Sequence, residues 1–233
     1  MSKPVCAVLG VGPGNGEAFA RRFSEGGHAV ALMARRGDVT DPLAAELPDA
    51  RAYRCDAADA GDIERCFAEI RDEMGKVETL IYNAGSGIWG SVEEVSAEDF
   101  ETCWRINAHG AFVASQQVIP AMKAAGGGNI VMIGATASRR GGPNSAAFAA
   151  GKAAQRSLAE SMARHLWSAG IHVSLVIIDG IIDLERTRAR MPDKPDDFFM
   201  APADIAETVW QTSRQRRSAW SFEVEARPFG ENW

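Results

Sequence analysis

Short apolar, β-branched runs alternate with longer helical patterns along almost the whole chain, and this alternation limits the possible folds more than any other feature. The runs predict strands over 5–9, 28–34, 51–55, 79–82, 129–133, 172–178 and 219–225. The patterns between them predict helices over 15–25, 59–74, 97–125, 144–168 and 202–214. Strands separated by helices cannot pair as hairpins. They need right-handed crossovers, which give a parallel sheet covered on both faces. The expectation is an α/β protein of three layers, with a seven-stranded parallel sheet, helices on both faces and one domain over residues 1–233.

Composition narrows the class. With 46% hydrophobic residues a chain of 233 residues can bury a full core. The net charge of −6 is mild and no Lys/Arg block stands out, which argues against a nucleic-acid or anionic-membrane surface. Arg214, Arg216 and Arg217 read as a solvated helix end. Cys6, Cys55, Cys66 and Cys103 are scattered without metal-like spacing, as expected of small buried hydrophobes in a reducing, cytoplasmic setting. No apolar run reaches membrane-spanning length.

The first strand runs into Gly10-Val11-Gly12-Pro13-Gly14-Asn15-Gly16 and then a helix. Read from Gly10, the G-x-G-x-x-G fingerprint fails, because Asn15 takes its third glycine; the spacing present is Gly10-x-x-x-Gly14-x-Gly16. Such a loop turns tightly, lets its backbone approach a pyrophosphate, and opens a helix whose N-terminal N–H groups attract negative charge. At the end of the second strand Ala34 stands where an acid would bind a ribose 2′-hydroxyl, and Arg35 follows with planar paired donors suited to a 2′-phosphate. This favours NADP(H) over NAD(H). Two arginines in a solvated turn would leave that preference weak.

Further along, Cys55-Asp56-Ala57, Tyr82-Asn83-Ala84-Gly85 and Phe148-Ala149-Ala150-Gly151-Lys152 complete a pattern. Together with the glycine spacing they resemble the short-chain dehydrogenases/reductases over the whole chain. The resemblance implies a Rossmann fold, with Gly10, Gly14, Asn15, Gly16, Arg35, Asp56, Ala57, Asn83, Ala84, Gly85, Lys152 and Gly180 at the cofactor. It implies Asn107 and Lys152 as retained members of a four-residue catalytic set. The family's tyrosine falls on Phe148 and its serine on Ala135, so both hydroxyls are missing. Tyr82 replaces the first Asn of the family turn, and Asp179 and Asp183 depart from its Pro-Gly-x-x-x-Thr segment.

Thr136, Ser138, Ser145, Asp179, Asp183 and a water on Asn107 remain as alternative proton sources, with an exposed loop acid the plainer reading of the two aspartates. His109 is expected on another helical face, at a surface or subunit contact. Residues 183–200, with Pro192, Pro195 and Phe198-Phe199, read either as an active-site lid or as a solvated loop. The resemblance implies an oxidoreductase of a small carbonyl or activated alkene, forming a homodimer or homotetramer. The rival is a catalytically quiet NADP(H)-binding regulatory or scaffold protein.

Overall fold

The computed structural model describes residues 3–230. In chain order it contains β1 (Val5–Leu9), α1 (Asn15–Glu25), β2 (Ala29–Ala34), α2 (Gly37–Glu46), β3 (Ala50–Arg54), α3 (Ala60–Glu73), β4 (Val77–Tyr82) and α4 (Ala97–Trp104). There follow α5 (Gly110–Ala125), β5 (Gly128–Ala135), α6 (Ala146–Leu166), β6 (Ile171–Ile178), β7 (Ile181–Ile182), α7 (Glu185–Arg190), β8 (Phe199–Met200), α8 (Pro202–Ser213) and β9 (Glu223–Ala226).

Seven strands form one sheet in the order β3-β2-β1-β4-β5-β6-β9, and every pairing is parallel. Strands covered on both sides must be apolar throughout, and β1 and β6 are buried at every position. One face packs Ile63, Ile70, Val113, Val118, Ala159 and Leu166 from α3, α5 and α6. The other packs Phe19, Phe23, Leu43, Ile205 and Val209 from α1, α2 and α8. The chain order reverses between β1 and β4, which opens a crevice at the carboxyl ends of those strands.

The structure corrects several expected elements. The last strand begins at Glu223 rather than 219, because 217–219 form a 3₁₀ turn. The single helix expected over 97–125 is interrupted by a π-helical turn at Arg105–His109. α2 was not expected: Gly37, Asp38 and Pro42 read as turn residues, yet Leu43 and Thr40 are buried by the helix. Residues 183–200 are not a structureless loop, since α7 and the β7–β8 pair organise them. All four cysteines are free and buried. Among the described residues no helix is long and apolar enough to cross a membrane.

Candidate active site

A cleft of about 780 Å³ lies at the reversal point, lined by Gly10 to Pro13, Arg35, Asp56, Ala57 and residues 83–87. Gly10 has φ 102°, and a Cβ there would sit 2.4 Å from the Ala84 nitrogen, so the turn passes directly against β4's end. Asn83 Nδ2 donates to the Gly10 carbonyl at 2.8 Å, while the Asn83 and Ala84 N–H groups both donate to Leu9. These bonds fix the two glycine-bearing turns as one floor. Gly16 is equally constrained, as its Cβ would lie 2.5 Å from the Gly10 carbonyl oxygen. Gly12, by contrast, has open space where a Cβ would be.

At one end of the cleft, Arg35 is exposed and makes no ion pair or hydrogen bond among the described residues. Its neighbour Arg36 is paired to Asp38 at 3.3 Å, so that acid is partly neutralised. Asp56 Oδ1 accepts the Ala58 N–H at 2.9 Å, and Asp62 accepts the Asp56 N–H at 2.6 Å, which locks the acid's loop beside the cleft.

Beyond Gly85 lie Asn107 and Lys152. A Cβ on Gly85 would come 3.3 Å from Asn107 Oδ1 and 3.7 Å from Lys152 Nζ, so both groups converge on that glycine. Asn107 sits within the π turn, a local widening that often marks functional positions. Its Nδ2 donates to the Cys103 and Ser86 carbonyls at 2.8 and 3.1 Å, and its buried Oδ1 has no partner among the described residues. Lys152 Nζ donates to the Ile133 carbonyl at 2.8 Å and to Gln155 Oε1 at 3.1 Å, leaving the third of its donors. Burial away from water lowers its pKa to about 8, only partly offset by the nearby Cys103.

One turn before Lys152, half-buried Phe148 packs against Trp89 with ring centroids 5.0 Å apart. Several of the alternative proton sources are engaged. Ser145 closes the turn onto Gly142 through both its donor and its acceptor. Ser138 Oγ accepts the Ala135 N–H at 3.1 Å. Thr136 donates to Asp179, and Arg227 pairs with the same carboxylate. Asp179 is therefore not the exposed loop acid that was expected: it is 7% exposed and ties the ends of β5, β6 and β9 together. The Arg188 guanidinium holds Asp183 below the usual carboxylate range. His109 is half-buried and stacks on Trp104 at 5.7 Å.

The structure thus brings Gly10, Arg35, Asp56, Ala57, Asn83, Ala84 and Gly85 to one cleft, with Asn107 and Lys152 buried behind its Gly85 end. Asn15 and Gly16 form the buried first turn of α1. Gly14 lies under the Leu184 side chain, which a Cβ would meet at 2.5 Å. Gly180 stands apart from the cleft lining, against Pro228 and Met200. Leu184, Glu185 and Arg186, from the segment expected to be either an active-site lid or a solvated loop, stand on the cleft wall. Sequence reasoning missed Trp89 beside Phe148, whose only signal was its place between Gly87 and Gly90.

The pattern of groups fits a nicotinamide dinucleotide: a turn in which a Cβ on Gly10 or Gly16 would strike backbone, a guanidinium unpaired among the described residues, and an orphaned buried amide oxygen beside an ammonium. Comparison with known proteins agrees. The short chain dehydrogenase family model matches residues 4–194, and the chain belongs to that family, whose members are oxidoreductases on a Rossmann fold. A sorbitol dehydrogenase of Cereibacter sphaeroides is 33% identical, covering 76% of this chain and 70% of its own. A short-chain dehydrogenase structure from Rhodopseudomonas palustris superposes with TM-score 0.84 at 32% identity, over 97% of this chain and 99% of that one. A metagenomic short-chain oxidoreductase in complex with NADP gives TM-score 0.82 at 27% identity, over 97% and 98%.

Proposed function

We propose that the chain is an NADP(H)-dependent oxidoreductase acting on a small carbonyl or activated alkene, working as one NAD(P)-binding domain in a cytoplasmic homodimer or homotetramer. The observation that carries the reading is the continuous cleft from unpaired Arg35, past the Gly10–Pro13 turn, to Asn107 and Lys152 behind Gly85. When bound, the reduced cofactor supplies hydride. Backbone N–H groups at the start of α1 take its pyrophosphate, Arg35 its 2′-phosphate, Asp56 its adenine amino group and Lys152 its ribose hydroxyls. Asn107 Oδ1 accepts from a water at the reacting end. Phe148 shields that end but has no proton to give, so a proton for a carbonyl product comes from solvent.

The related structure bound to NADP supports the cofactor class. Titration with NADPH and NADH tests it: tighter NADPH binding is expected, equal affinities would remove the preference, and failure of both to bind would remove the reading. The second reading, a quiet NADP(H)-binding regulatory or scaffold protein, is favoured by one observation. Thr136 and Ser145 each spend their O–H on a structural bond, to Asp179 and to the Gly142 carbonyl. Whether bound NADPH is ever oxidised separates the two.

A further inference from the structure

The reacting end of the cleft combines a missing acid with an aromatic wall. Phe148 and Trp89 lie in ring contact at 5.0 Å, and Trp89 keeps 65% of its surface open to solvent. The segment that bears Trp89 is anchored to the start of α6: Gly90 pairs with Ser145 as an isolated bridge, Gly90 N donates to Asn144, and Ala146 N donates back to Gly90. The wall is therefore held next to Phe148 rather than left to swing. Directly after it, residues 91–101 carry five carboxylates and no basic side chain. Glu94 of this run folds back onto the Ser91 N–H at 2.8 Å, close to the anchored turn.

An exposed indole face attracts cations through the ring quadrupole, and the acidic stretch that follows it in the chain adds negative charge to this part of the surface, although Glu101 is paired with Arg105. The chemistry of the site agrees with that preference. A ketone must gain both a hydride and a proton, whereas an iminium ion needs only hydride. The new C–H bond forms at the iminium carbon, the C=N π pair moves onto nitrogen, and a neutral amine results, with no proton entering or leaving. The reductant required is reduced nicotinamide dinucleotide. Phe148 and Ala135 are then suited to their task, since neither needs a hydroxyl.

We propose that the Trp89–Phe148 wall binds planar organic cations and that cyclic iminium ions are hydride acceptors at this site; the second half rests on the cofactor reading above. The test uses the N-methyl dihydroisoquinolinium cation, with tetralone as a neutral probe of similar shape. Calorimetry on the full chain without cofactor should show the cation binding more tightly than tetralone. Trp89→Ala should weaken the cation by about twofold to fivefold, the weight of one cation–π contact at an exposed ring, and Trp89→Phe should recover most of it. Tetralone should respond little to either change. Unchanged melting temperature is expected, because Trp89 is mostly exposed. With NADPH added, the cation should be converted to the tertiary amine, identified by mass. Equal affinity for the two probes, or indifference to Trp89→Ala, would overturn the wall as a cation site. Cation binding without amine formation by NADPH-loaded protein would overturn the acceptor assignment. Failure of NADPH to bind would instead undo the cofactor reading and with it the acceptor, while the calorimetric result on the wall would still stand.

Discussion

Lys152 keeps its ammonium in a buried setting, with two donors spent on Ile133 and Gln155. Desolvation brings its pKa down to about 8, so its charge is lost within an accessible range. If the charged form holds the ribose, NADPH affinity falls as pH rises through about 8, and titrations from about pH 7 to about pH 9.5 should show it. A flat profile would mean the charge is not used. Charged hydrogen bonds are worth about 1.5–3 kcal/mol, so Lys152→Ala should weaken NADPH by about tenfold to a hundredfold. Arg35 contributes differently. It is exposed and unpaired among the described residues, so Arg35→Ala should lower NADPH affinity, leave NADH nearly unchanged and leave the melting temperature as it was. Equal losses for both cofactors would show that it contacts something other than the 2′-phosphate. These residues were legible from sequence because motif spacing reports position. Their partners were not, since Ile133 and Gln155 carry no pattern that marks them as acceptors for a lysine.

The junction of α4 and α5 shows how an element's irregularity serves the site. The Tyr82 hydroxyl donates to the Ile106 carbonyl at 2.5 Å, within the π turn that carries Asn107. Gly110 then lets that helix approach β4, because a Cβ there would sit 2.3 Å from the Ala57 carbonyl oxygen and 2.5 Å from the Tyr82 hydroxyl. Gly110→Ala should therefore destabilise the protein by about 1–3 kcal/mol in urea unfolding, as overpacking does. Wild-type stability in that variant would mean the contact is loose. Hydrophobic periodicity predicted one helix over 97–125, since a single extra residue in a turn barely disturbs the pattern. It hid α2 for another reason: Gly37 and Pro42 carry turn character that tertiary burial of Leu43 overrides. The central strands β1, β2, β4, β5 and β6 were readable because buried parallel strands are largely apolar, whereas the edge strand β3, with Arg51 and Arg54 exposed, alternates. Only the last, at the sheet edge and half-buried, was displaced.

Across the whole molecule, burial of two imidazoles ties stability to acid. His28 is buried against Phe23 and Trp210, and His172 is stacked on Trp220. Desolvation lowers both pKa values below the ordinary 6.5, opposed at His28 by Glu78 and at His172 by the Ser221 carbonyl. The unfolded chain takes up these protons first. The contribution is thus complete above about pH 6.5 and is lost as pH falls from there through the lower folded values. Melting temperature should drop between about pH 7 and about pH 5, and less steeply in His172→Gln. An identical acid limb in that variant would assign the loss to other groups. Arg35 lines the cleft by the glycine turn while Phe148 lies one helical turn from Lys152, so these two positions can be tested apart.

If this site keeps the parts that hold NADPH and has lost those that supply a proton, returning the two hydroxyls should return ketone reduction. Phe148→Tyr with Ala135→Ser restores both hydroxyls beside Lys152 and Asn107. NADPH oxidation by the double variant and by wild type is followed over a panel of ketones and quinones. With folding and NADPH affinity equal in both proteins, the double variant should reduce ketones faster than wild type and faster than either single variant, up to the roughly 10²–10⁴-fold that general acid catalysis contributes. A folded, NADPH-binding double variant no faster than wild type on every substrate would contradict it.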